Sequence, residues 1–412
     1  MRGSTPKDQR LLHIIEQLNE SGKVKVNVLA KKLGVTERTI RNDLSLLEKN
    51  GICSIHYGGA EILGPISQHI FQLSGLKNII NSLSIYQDTQ ELSMMTNHNK
   101  PEVFVLGSFN VDIVSEVVTF PKSGQTVRGK STHFYAGGKG ANQATAAANV
   151  NNHVHFTAKV GRDEFYEMAK TYLQSTKINS LSLFEHLSVH TGNAIIIVNT
   201  ENAENFITIN PGANETLTRS EIDSQLDFLK KGRVFLTQLE NNFEMTEYAL
   251  TKAAEFNLQV ILNPAPYLPE VRSVLSKIDI LTPNETEASD LTGIVVEDIN
   301  TAKQAALKIH QMGVKKIIIT LSHQGVLFFD GNEYLHFPAY KAIPIDTSGA
   351  GDAFNGALAG ALANGCDIHY AIQYANAFAS LAVERKGASN MPSHDWVLNR
   401  IQSEPLYRMQ RV

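Results

Sequence analysis

With 412 residues, 42% of them hydrophobic, and a formal net charge of −4, the chain is expected to form two or three soluble globular domains. No apolar run approaches the roughly 18 residues of a membrane span, and the N-terminus lacks a signal-peptide core, so we expect a cytoplasmic protein without membrane contact. Cys53 and Cys366 are too far apart in sequence to give a metal-binding spacing, which fits a reducing compartment.

The first 60 residues are basic although the whole chain is acidic. They contain ten Lys or Arg and six Asp or Glu, a net of +4, so the remaining residues carry −8. A basic head on an acidic body suggests that the head binds a polyanion.

Three helical patterns and a hairpin pattern follow one another in residues 1–62. Apolar residues recur at helical spacing from Arg10 to Leu18 and from Val26 to Leu33, and Gly34 is placed to end the second helix. Thr36 is a typical N-cap for a third helix. Two short helices joined by a tight turn make a helix-turn-helix, and the alternating residues after it are typical of a β-hairpin wing.

The third helix exposes Arg38, Thr39 and Arg41, side chains that can reach phosphates and base edges. The run from Val28 to Gly51 resembles the winged helix-turn-helix of DeoR-type bacterial sugar-responsive regulators. The resemblance implies that these three side chains face operator DNA, and we expect a homodimer. A small three-helix protein-interaction module is the alternative.

Residues 63–100 are predicted to connect two domains. Apolar residues between Ile66 and Leu83 recur at intervals of three and four, which is typical of an amphipathic helix. Residues 87–100 are polar and indicate a flexible tether. The apolar stripe could form a dimer contact, but we expect it to pack within the chain.

Strand and helix patterns alternate through residues 101–405, the predicted second domain. The apolar strand patterns are Val103–Leu106, Thr157–Val160, Ile195–Val198, Val234–Leu236, Val260–Asn263, Ile278–Leu281 and Ile317–Leu321. This alternation predicts an α/β fold with a mostly parallel sheet covered on both faces and with ligands at the carboxyl ends of its strands. Two short polar segments, 110–136 and 190–212, interrupt the alternation and predict a small β lid over the site.

Polar motifs stand at several predicted strand ends. They are Gly107–Asp112, Ala136–Asn142, Gln238–Glu240, Asn263–Pro266, Thr282–Glu287 and Thr320–Gly325. Asn, Asp, Lys and Glu side chains at such positions can bind several hydroxyl groups of a polyol. Each motif taken alone could also be a plain turn or a solvated surface.

The motif from Ile343 to Gly356 joins a β-branched strand end to an alanine-rich helix through small residues. Small residues at a helix N-terminus let backbone N–H groups approach an anion, and the helix dipole favours negative charge there. Asp352 lies where the helix begins, so one turn could supply both an anion hole and a base. For this motif alone, a tight turn with an Asp N-cap is an equally good interpretation.

Together these motifs resemble the ribokinase group of the PfkB sugar-kinase family over residues 101–395. The resemblance lies in the glycine-rich stretch 136–143, in Asp346–Gly356, and in Asn263-Pro-Ala-Pro. It implies a ribokinase-like fold and transfer of the ATP γ-phosphoryl group to a primary sugar hydroxyl. D-ribose is the favoured sugar, with another pentose, a deoxy sugar or a nucleoside as alternatives.

The resemblance also implies roles for individual residues. Asp352 would accept the hydroxyl proton, and the N–H groups of Gly349, Ala350 and Gly351 would bind the phosphoryl oxygens. The sugar would be bound by Asn110, Asp112, Gly138, Lys139, Asn142 and Glu240. The nucleotide site would comprise Asn284, Thr320, Ser322, Gly325, Gly351 and Asn376. Glu287 would help to place Mg²⁺, together with Asn284, and K⁺ would be bound by Asp346, Ser348, Ala382, Arg385 and Gly387.

Three departures from the family pattern bear on function. Ser322 stands where glycine is common, Asn376 replaces a frequent histidine, and the stretch from Gly387 to Pro392 is one residue short, which leaves the last K⁺ ligand unassigned. The alternative function is therefore a transcriptional regulator whose kinase fold senses sugar and nucleotide without turnover. We favour the enzyme because a pure sensor has no need of a proton acceptor.

Overall fold

A computed structural model of the protein describes residues 7, 10, 11, 13, 14, 17, 18, 23–49, 53–62, 102–151, 153–202, 204–404 and 409–412. The chain divides into two compact units, Met1–Met94 and Met95–Val412. The predicted amphipathic helix after Ile66 and the predicted tether over 87–100 lie outside the described residues. In the part that is described, no helix is both long and apolar enough to cross a membrane.

The N-terminal unit contains the predicted helix-turn-helix and wing. Its elements are β1 (Lys23–Lys25), α1 (Val26–Leu33), α2 (Glu37–Lys49), β2 (Cys53–His56) and β3 (Gly59–Ile62). The strands form an antiparallel sheet in the order β1-β3-β2, so the wing gains a third strand from the segment before α1. Gly34 ends α1 in the left-handed conformation, with φ of 65°.

A small apolar core joins the first helical segment to α2. Leu11, Ile14 and Leu18 are helical and buried, and they belong to one cluster with Ile40 and Leu44 of α2. An ion pair supports the same packing, because Arg10 Nε lies 2.5 Å from Oδ2 of the buried Asp43 on α2.

The second unit is built on two sheets. Its strands are β4 (Val103–Leu106), β5 (Asn110–Val117), β6 (Ser131–Gly137), β7 (Val154–Gly161), β8 (Ser180–His186), β9 (Gly192–Asn199), β10 (Asn205–Asn210), β11 (Val234–Thr237), β12 (Gln259–Leu262), β13 (Ile280–Leu281), β14 (Lys316–Thr320), β15 (Val326–Phe329), β16 (Tyr334–Phe337) and β17 (Gln410–Arg411). The main sheet has ten strands in the order β17-β16-β15-β14-β13-β12-β11-β4-β7-β8. It is parallel from β14 to β8 and antiparallel from β14 to β17.

Helices cover both faces of the main sheet. They are α3 (Lys139–Val150), α4 (Glu164–Ser175), α5 (Arg219–Asp223), α6 (Leu226–Leu229), α7 (Phe243–Glu255), α8 (Glu285–Thr292), α9 (Ile299–Gln311), α10 (Ala350–Ala363), α11 (Ile368–Ala382) and α12 (His394–Ser403). One apolar core holds the alanine-rich faces of α3, α10 and α11, and a second core holds α7, α8 and α9. Along β4, Val103 and Val105 enter the first core and Phe104 and Leu106 the second, because side chains alternate along a strand.

A second sheet forms the predicted lid. Its order is β10-β9-β5-β6, and its strands come from the two polar segments that interrupt the α/β alternation. The pattern Ile195–Val198 belongs to this lid sheet, as part of β9, rather than to the main sheet. The predicted fold class, a mostly parallel α/β sheet with a small β lid after a winged helix-turn-helix, is confirmed.

Candidate active site

The turn before α10 places backbone donors and a carboxylate together. Gly349 is the N-cap, with φ of 77°, and a Cβ there would come within 2.7 Å of Ala388 Cβ. At Gly351 a Cβ would meet no atom within 4 Å, so this side of the first turn faces open space. The first N–H groups of a helix have no acceptor within the helix, which makes this end suitable for an anion. The N–H of Ala350 makes a long hydrogen bond of 3.3 Å to Thr347 O.

Asp352 is buried in the first turn of α10 and is held by two neighbouring amides. Asn142 Nδ2 donates to Asp352 Oδ2 at 3.1 Å, and Gln143 Nε2 donates to Asp352 Oδ1 at 2.9 Å. Both amides stand in the first turns of α3, which packs directly against α10. Gly356 allows this close packing, because a Cβ there would overlap the backbone of α3 at Gln143.

Behind Asp352 lies a chain of buried polar side chains whose individual roles the sequence motifs did not predict. Gln238 Nε2 donates to Gln143 Oε1 at 2.7 Å, and Gln143 Nε2 also donates to Asn263 Oδ1 at 3.0 Å. Thr282 Oγ1 donates to Asn355 Oδ1 at 2.5 Å, and Asn263 Nδ2 donates to the Thr282 carbonyl at 3.1 Å. Polar residues within alanine-rich or β-branched runs were the available signal, since such side chains are buried only when they are hydrogen-bonded.

The predicted sugar residues gather on the lid side of Asp352. Asn110 and Asp112 are two residues apart on β5 and therefore share one face of the lid sheet. Glu240 accepts from Lys139 N at 3.0 Å and from the hydroxyl of Ser108. Gly138 has φ of 91°, and a Cβ there would contact Asn110 N, so the turn lies directly against β5.

The amides of Asn110 and Asn142, two of the predicted sugar ligands, are held differently. Asn214 Nδ2 donates to Asn110 Oδ1 at 2.8 Å, so Asn110 turns its own NH₂ group away from Asn214. Asn214 is fully buried, and it also donates to the carbonyl of Pro211 at 2.9 Å. Asn142 Oδ1 is buried without a hydrogen-bond partner among the described atoms. A ligand hydroxyl could satisfy this acceptor.

The charges of the site are mutually coupled. Burial, with the nearby Glu240 and Asp352 carboxylates, raises the pKa of Asp112 to about 6. Asp352 above all, with Glu240 and Glu287, raises the pKa of Lys139 although burial opposes this. Burial also raises the pKa of Glu287. These side chains therefore form one electrostatic site, in which Lys139 offsets several carboxylates.

Two of the predicted nucleotide residues, Gly325 and Asn376, contact the segment after β16. A Cβ on Gly325 would overlap the backbone from Phe337 to Ala339, and Asn376 Nδ2 donates to Pro338 O at 2.8 Å. Ser322 has φ of 46°, a left-handed conformation that favours glycine. Asn284 and Thr320 pair through a β-bridge, which joins the start of α8 to this loop.

Asn284 and Glu287 form a capping box at the N-terminus of α8. Glu287 Oε2 accepts from Asn284 N at 3.0 Å, and Glu287 N donates to Asn284 Oδ1 at 2.8 Å. Asn284 Nδ2 also donates to Glu287 Oε1 at 3.0 Å. In the described ranges, no group of three or more His, Cys, Asp or Glu side chains is arranged to hold a metal ion.

The loop after α11 supports the turn that precedes α10. Asp346 Oδ2 accepts from Gly387 N and Oδ1 accepts from Ser348 N, both at 2.9 Å. Although burial opposes it, these N–H donors keep the pKa of Asp346 below its usual value. Ala382 O accepts from Arg385 N at 3.1 Å, and the Arg385 guanidinium lies 4.1 Å from the centre of the Trp396 ring.

The predicted DNA-contacting face of α2 is accessible in the N-terminal unit. Arg38 is exposed, and Arg41 is paired with Glu37 at 3.2 Å between two exposed side chains. Thr39 Oγ1 lies 3.0 Å from the hydroxyl of Thr36. Tyr57 is fully exposed at the tip of the wing, a position that the sequence analysis did not single out.

Comparison with known proteins gives two family matches. Residues 100–395 match the pfkB family carbohydrate kinase, and residues 10–65 match the DeoR-like helix-turn-helix domain. A deoxyribokinase of Salmonella typhi is 36% identical over 294 residues, which are 71% of this chain and 96% of that protein. A ribokinase of Haemophilus influenzae is 35% identical over 299 residues, 72% of this chain and 97% of its own length.

Solved structures agree with these matches. The ribokinase of Thermotoga maritima is 34% identical, with a TM-score of 0.67, and covers 73% of this chain and 99% of its own. The ribokinase of Arabidopsis thaliana in complex with ribose and ATP is 30% identical, with a TM-score of 0.68. That alignment covers 74% of this chain and 99% of the plant protein.

Proposed function

This chain belongs to the pfkB family of carbohydrate kinases, and from that premise we propose that it phosphorylates the primary hydroxyl of D-ribose with ATP. A DeoR-type helix-turn-helix precedes the kinase in the same chain. The transfer of phosphate to a sugar alcohol follows from the family, and the sugar itself is the proposal. 2-Deoxyribose is the second candidate, because the deoxyribokinase of Salmonella typhi is about as similar to this chain as the ribokinases are.

The observation that carries the proposal is the position of Asp352. Its carboxylate is buried beside the open first turn of α10, and two amides orient it. Asp352 accepts the proton of the sugar hydroxyl as the hydroxyl oxygen bonds to the γ-phosphorus and the bond to ADP breaks. The N–H groups of Gly349, Ala350 and Gly351 bind the phosphoryl oxygens, on which negative charge is spread during transfer.

The sugar lies between the lid and α3 in this proposal. Asn110, Asp112 and Asn142 form hydrogen bonds with the secondary hydroxyls of the sugar, and the unpartnered Oδ1 of Asn142 accepts a hydrogen bond from one of these hydroxyls. Glu240 binds sugar through Oε1, because Lys139 N and the Ser108 hydroxyl both donate to Oε2, and the Lys139 ammonium offsets the local carboxylates. Several paired hydrogen bonds of this kind give selectivity for a polyol.

The nucleotide and ions occupy the other side of α10. Thr320, Ser322, Gly325 and Asn376 line the base and ribose of ATP. Asn284 and Glu287 already bond to each other, so they fit Mg²⁺ through water and the phosphates rather than as a complete ligand set. K⁺, as an oxygen-seeking ion, fits the Asp346 carboxylate with the carbonyls of Ser348, Ala382, Arg385 and Gly387. When bound, Mg²⁺ would supply positive charge to the transferring phosphate, whereas K⁺ would shape the turn before α10 without contacting the substrate.

We further propose that the protein is a homodimer that binds operator DNA through Arg38, Thr39 and Arg41. The lid sheet exposes large apolar side chains on both faces, Phe134, Ile195 and Phe206 on one and Ile207 and Ile209 on the other, and a second copy could cover one of these faces. A dimeric head should bind two half-sites about 10 bp, or a multiple of that, apart, with an affinity that falls steeply with salt. Phe206→Glu with Ile209→Glu should yield a monomer in sedimentation, whereas an unchanged mass would exclude the lid contact.

A coupled assay tests the kinase proposal and its alternative, a sugar sensor without turnover. Purified protein is given ATP, Mg²⁺ and K⁺ with ribose, 2-deoxyribose, other pentoses or nucleosides. We expect the highest kcat/KM with ribose, and a higher value with deoxyribose would transfer the assignment to that sugar. Asp352→Asn should lower kcat by roughly 10²–10⁴-fold with ribose binding retained. Background turnover with every sugar, combined with saturable sugar binding, would favour the sensor.

A further inference from the structure

Gln143 is fully buried in α3 and uses both of its donors and its acceptor. Its Nε2 donates to Asp352 and to Asn263, and its Oε1 accepts from Gln238 at 2.7 Å. Gln238 directly follows β11, and Asn263 directly follows β12. Gln143 therefore ties the carboxylate of Asp352 to the carboxyl ends of two neighbouring strands of the main sheet.

Asn142 contacts the same carboxylate but is held differently. Its Nδ2 donates to Asp352 Oδ2 at 3.1 Å, whereas its Oδ1 is buried with no partner among the described atoms. A substrate hydroxyl can therefore form a hydrogen bond with the Asn142 amide and rotate it. The Gln143 amide cannot turn without breaking three hydrogen bonds in a buried site, and each unpaired buried polar group costs free energy.

We propose that Gln143 is a positioning residue that holds Asp352 Oδ1, so that Oδ2 beside Asn142 receives the proton of the substrate hydroxyl. The proposal rests on the proposed role of Asp352 as the base. The carboxylate can present either oxygen. Because the charge-assisted bond from Gln143 to Oδ1 is fixed and the bond from Asn142 to Oδ2 can be given up to substrate, Oδ2 is the oxygen available to the hydroxyl. Gln143 acts through Asp352 and does not itself bind the sugar.

The test is Gln143→Met, which keeps the length of the side chain and removes both donors. Since a small displacement of a reacting group costs up to about 10²-fold in rate, we expect kcat to fall by roughly 10- to 100-fold. The KM for sugar should change by less than about twofold, because the sugar contacts remain. A matched control is Thr145→Val on the same helix, where the buried hydroxyl donates to Ala141 O at 2.8 Å and has no link to Asp352. It should keep wild-type kcat.

A double-mutant cycle shows whether Gln143 acts through Asp352. In the Asp352→Asn background, Gln143→Met should lower kcat by less than about twofold further, because the group it positions has already been removed. A full additional 10-fold loss in that background would assign Gln143 a separate, structural role and overturn the proposal. So would wild-type kcat in the single variant.

A second variant covers the case in which Gln143→Met does not fold. Gln238→Met leaves Gln143 in place but removes the donor that fixes its Oε1, so kcat should fall by a smaller factor with KM unchanged. Wild-type kcat in a folded Gln238→Met variant would then contradict the proposal. The role of Asp352 as the base is tested separately. If Asp352→Asn keeps its turnover, the proposed function fails. If Asp352→Asn loses turnover but the Gln143 and Gln238 variants do not, the proposed function stands and only the inference about Gln143 fails.

Discussion

Gly349 gives the sharpest test of how the anion-binding turn is held. It has φ of 77°, and a Cβ at this position would lie 2.7 Å from both Cβ and O of Ala388. Carbon atoms in contact prefer about 3.5 Å, so Gly349→Ala must move the turn and Ala388 apart by roughly 0.8 Å. In the proposed mechanism the N–H donors of this turn bind the phosphoryl oxygens and must match them closely, so we expect kcat to fall by about 10²-fold.

Gly293 provides a matched control for the backbone cost. It ends α8 with φ of 72°, close to that of Gly349, but a Cβ there would meet no atom within 4 Å. Gly293→Ala should therefore cost only the left-handed strain, about 1–2 kcal/mol in the free energy of unfolding, with kcat unchanged. Gly349→Ala should cost more than this in urea unfolding and should also lose activity. Equal unfolding costs and equal kcat in the two variants would refute the packing argument.

Three further predictions concern stability and the DNA-binding head. Burial lowers the pKa of His155 to about 4, so the folded state resists protonation of this side chain. The free energy of unfolding should therefore fall by roughly 3 kcal/mol as pH drops from about 6.5 to 4, and in His155→Gln the urea concentration at the unfolding midpoint should change less over that pH range. Ser322→Gly should relieve left-handed strain and raise the free energy of unfolding by about 0.5–1 kcal/mol. The control Asn257→Gly, at φ of 59°, should gain less because Asn tolerates this conformation, and equal gains of the two variants in thermal melts would contradict the prediction. Asp43→Ala removes the ion-pair partner of Arg10 and should abolish operator binding in mobility-shift assays. Sugar phosphorylation should continue because the pair lies wholly in the N-terminal unit, and retained DNA affinity would show that the pair does not support the DNA-binding fold.

Local sequence patterns were sufficient for the fold class and for most strands of the main sheet. They missed β8 and the antiparallel extension from β15 to β17. The short strand β17 pairs with β16, which lies more than 70 residues earlier in the chain, and local periodicity does not indicate a pairing over that distance. The predicted strand from Ile278 is shorter in the structure, because Leu275–Lys277 forms a 3₁₀ turn directly before β13.

At the candidate site, too, some residues were predictable from local sequence and others were not. Motifs at strand ends named the residues that the fold gathers around Asp352, because the carboxyl ends of parallel strands meet at one edge. Gln143 and Asn263 lie within predicted motifs but were given no individual role, and Asn214 lies in none of them, although these amides fix the orientation of Asp352 and Asn110. Their roles depend on atoms 100 or more residues away in most cases, so spacing along the chain carries little information about them.

Local sequence patterns were enough to identify the helix-turn-helix and the carbohydrate-kinase region, their glycine turns, and the side-chain types available for phosphoryl transfer. These follow from short-range physics, since helix and strand periods and left-handed turns are set within a few residues. By contrast, contacts between distant parts of the chain set which amide holds each oxygen of Asp352. They also bring about the burial and the two nearby carboxylates that raise the pKa of Asp112 to about 6. Hydrogen bonds and electrostatic coupling depend on distance in space, and folding alone sets those distances.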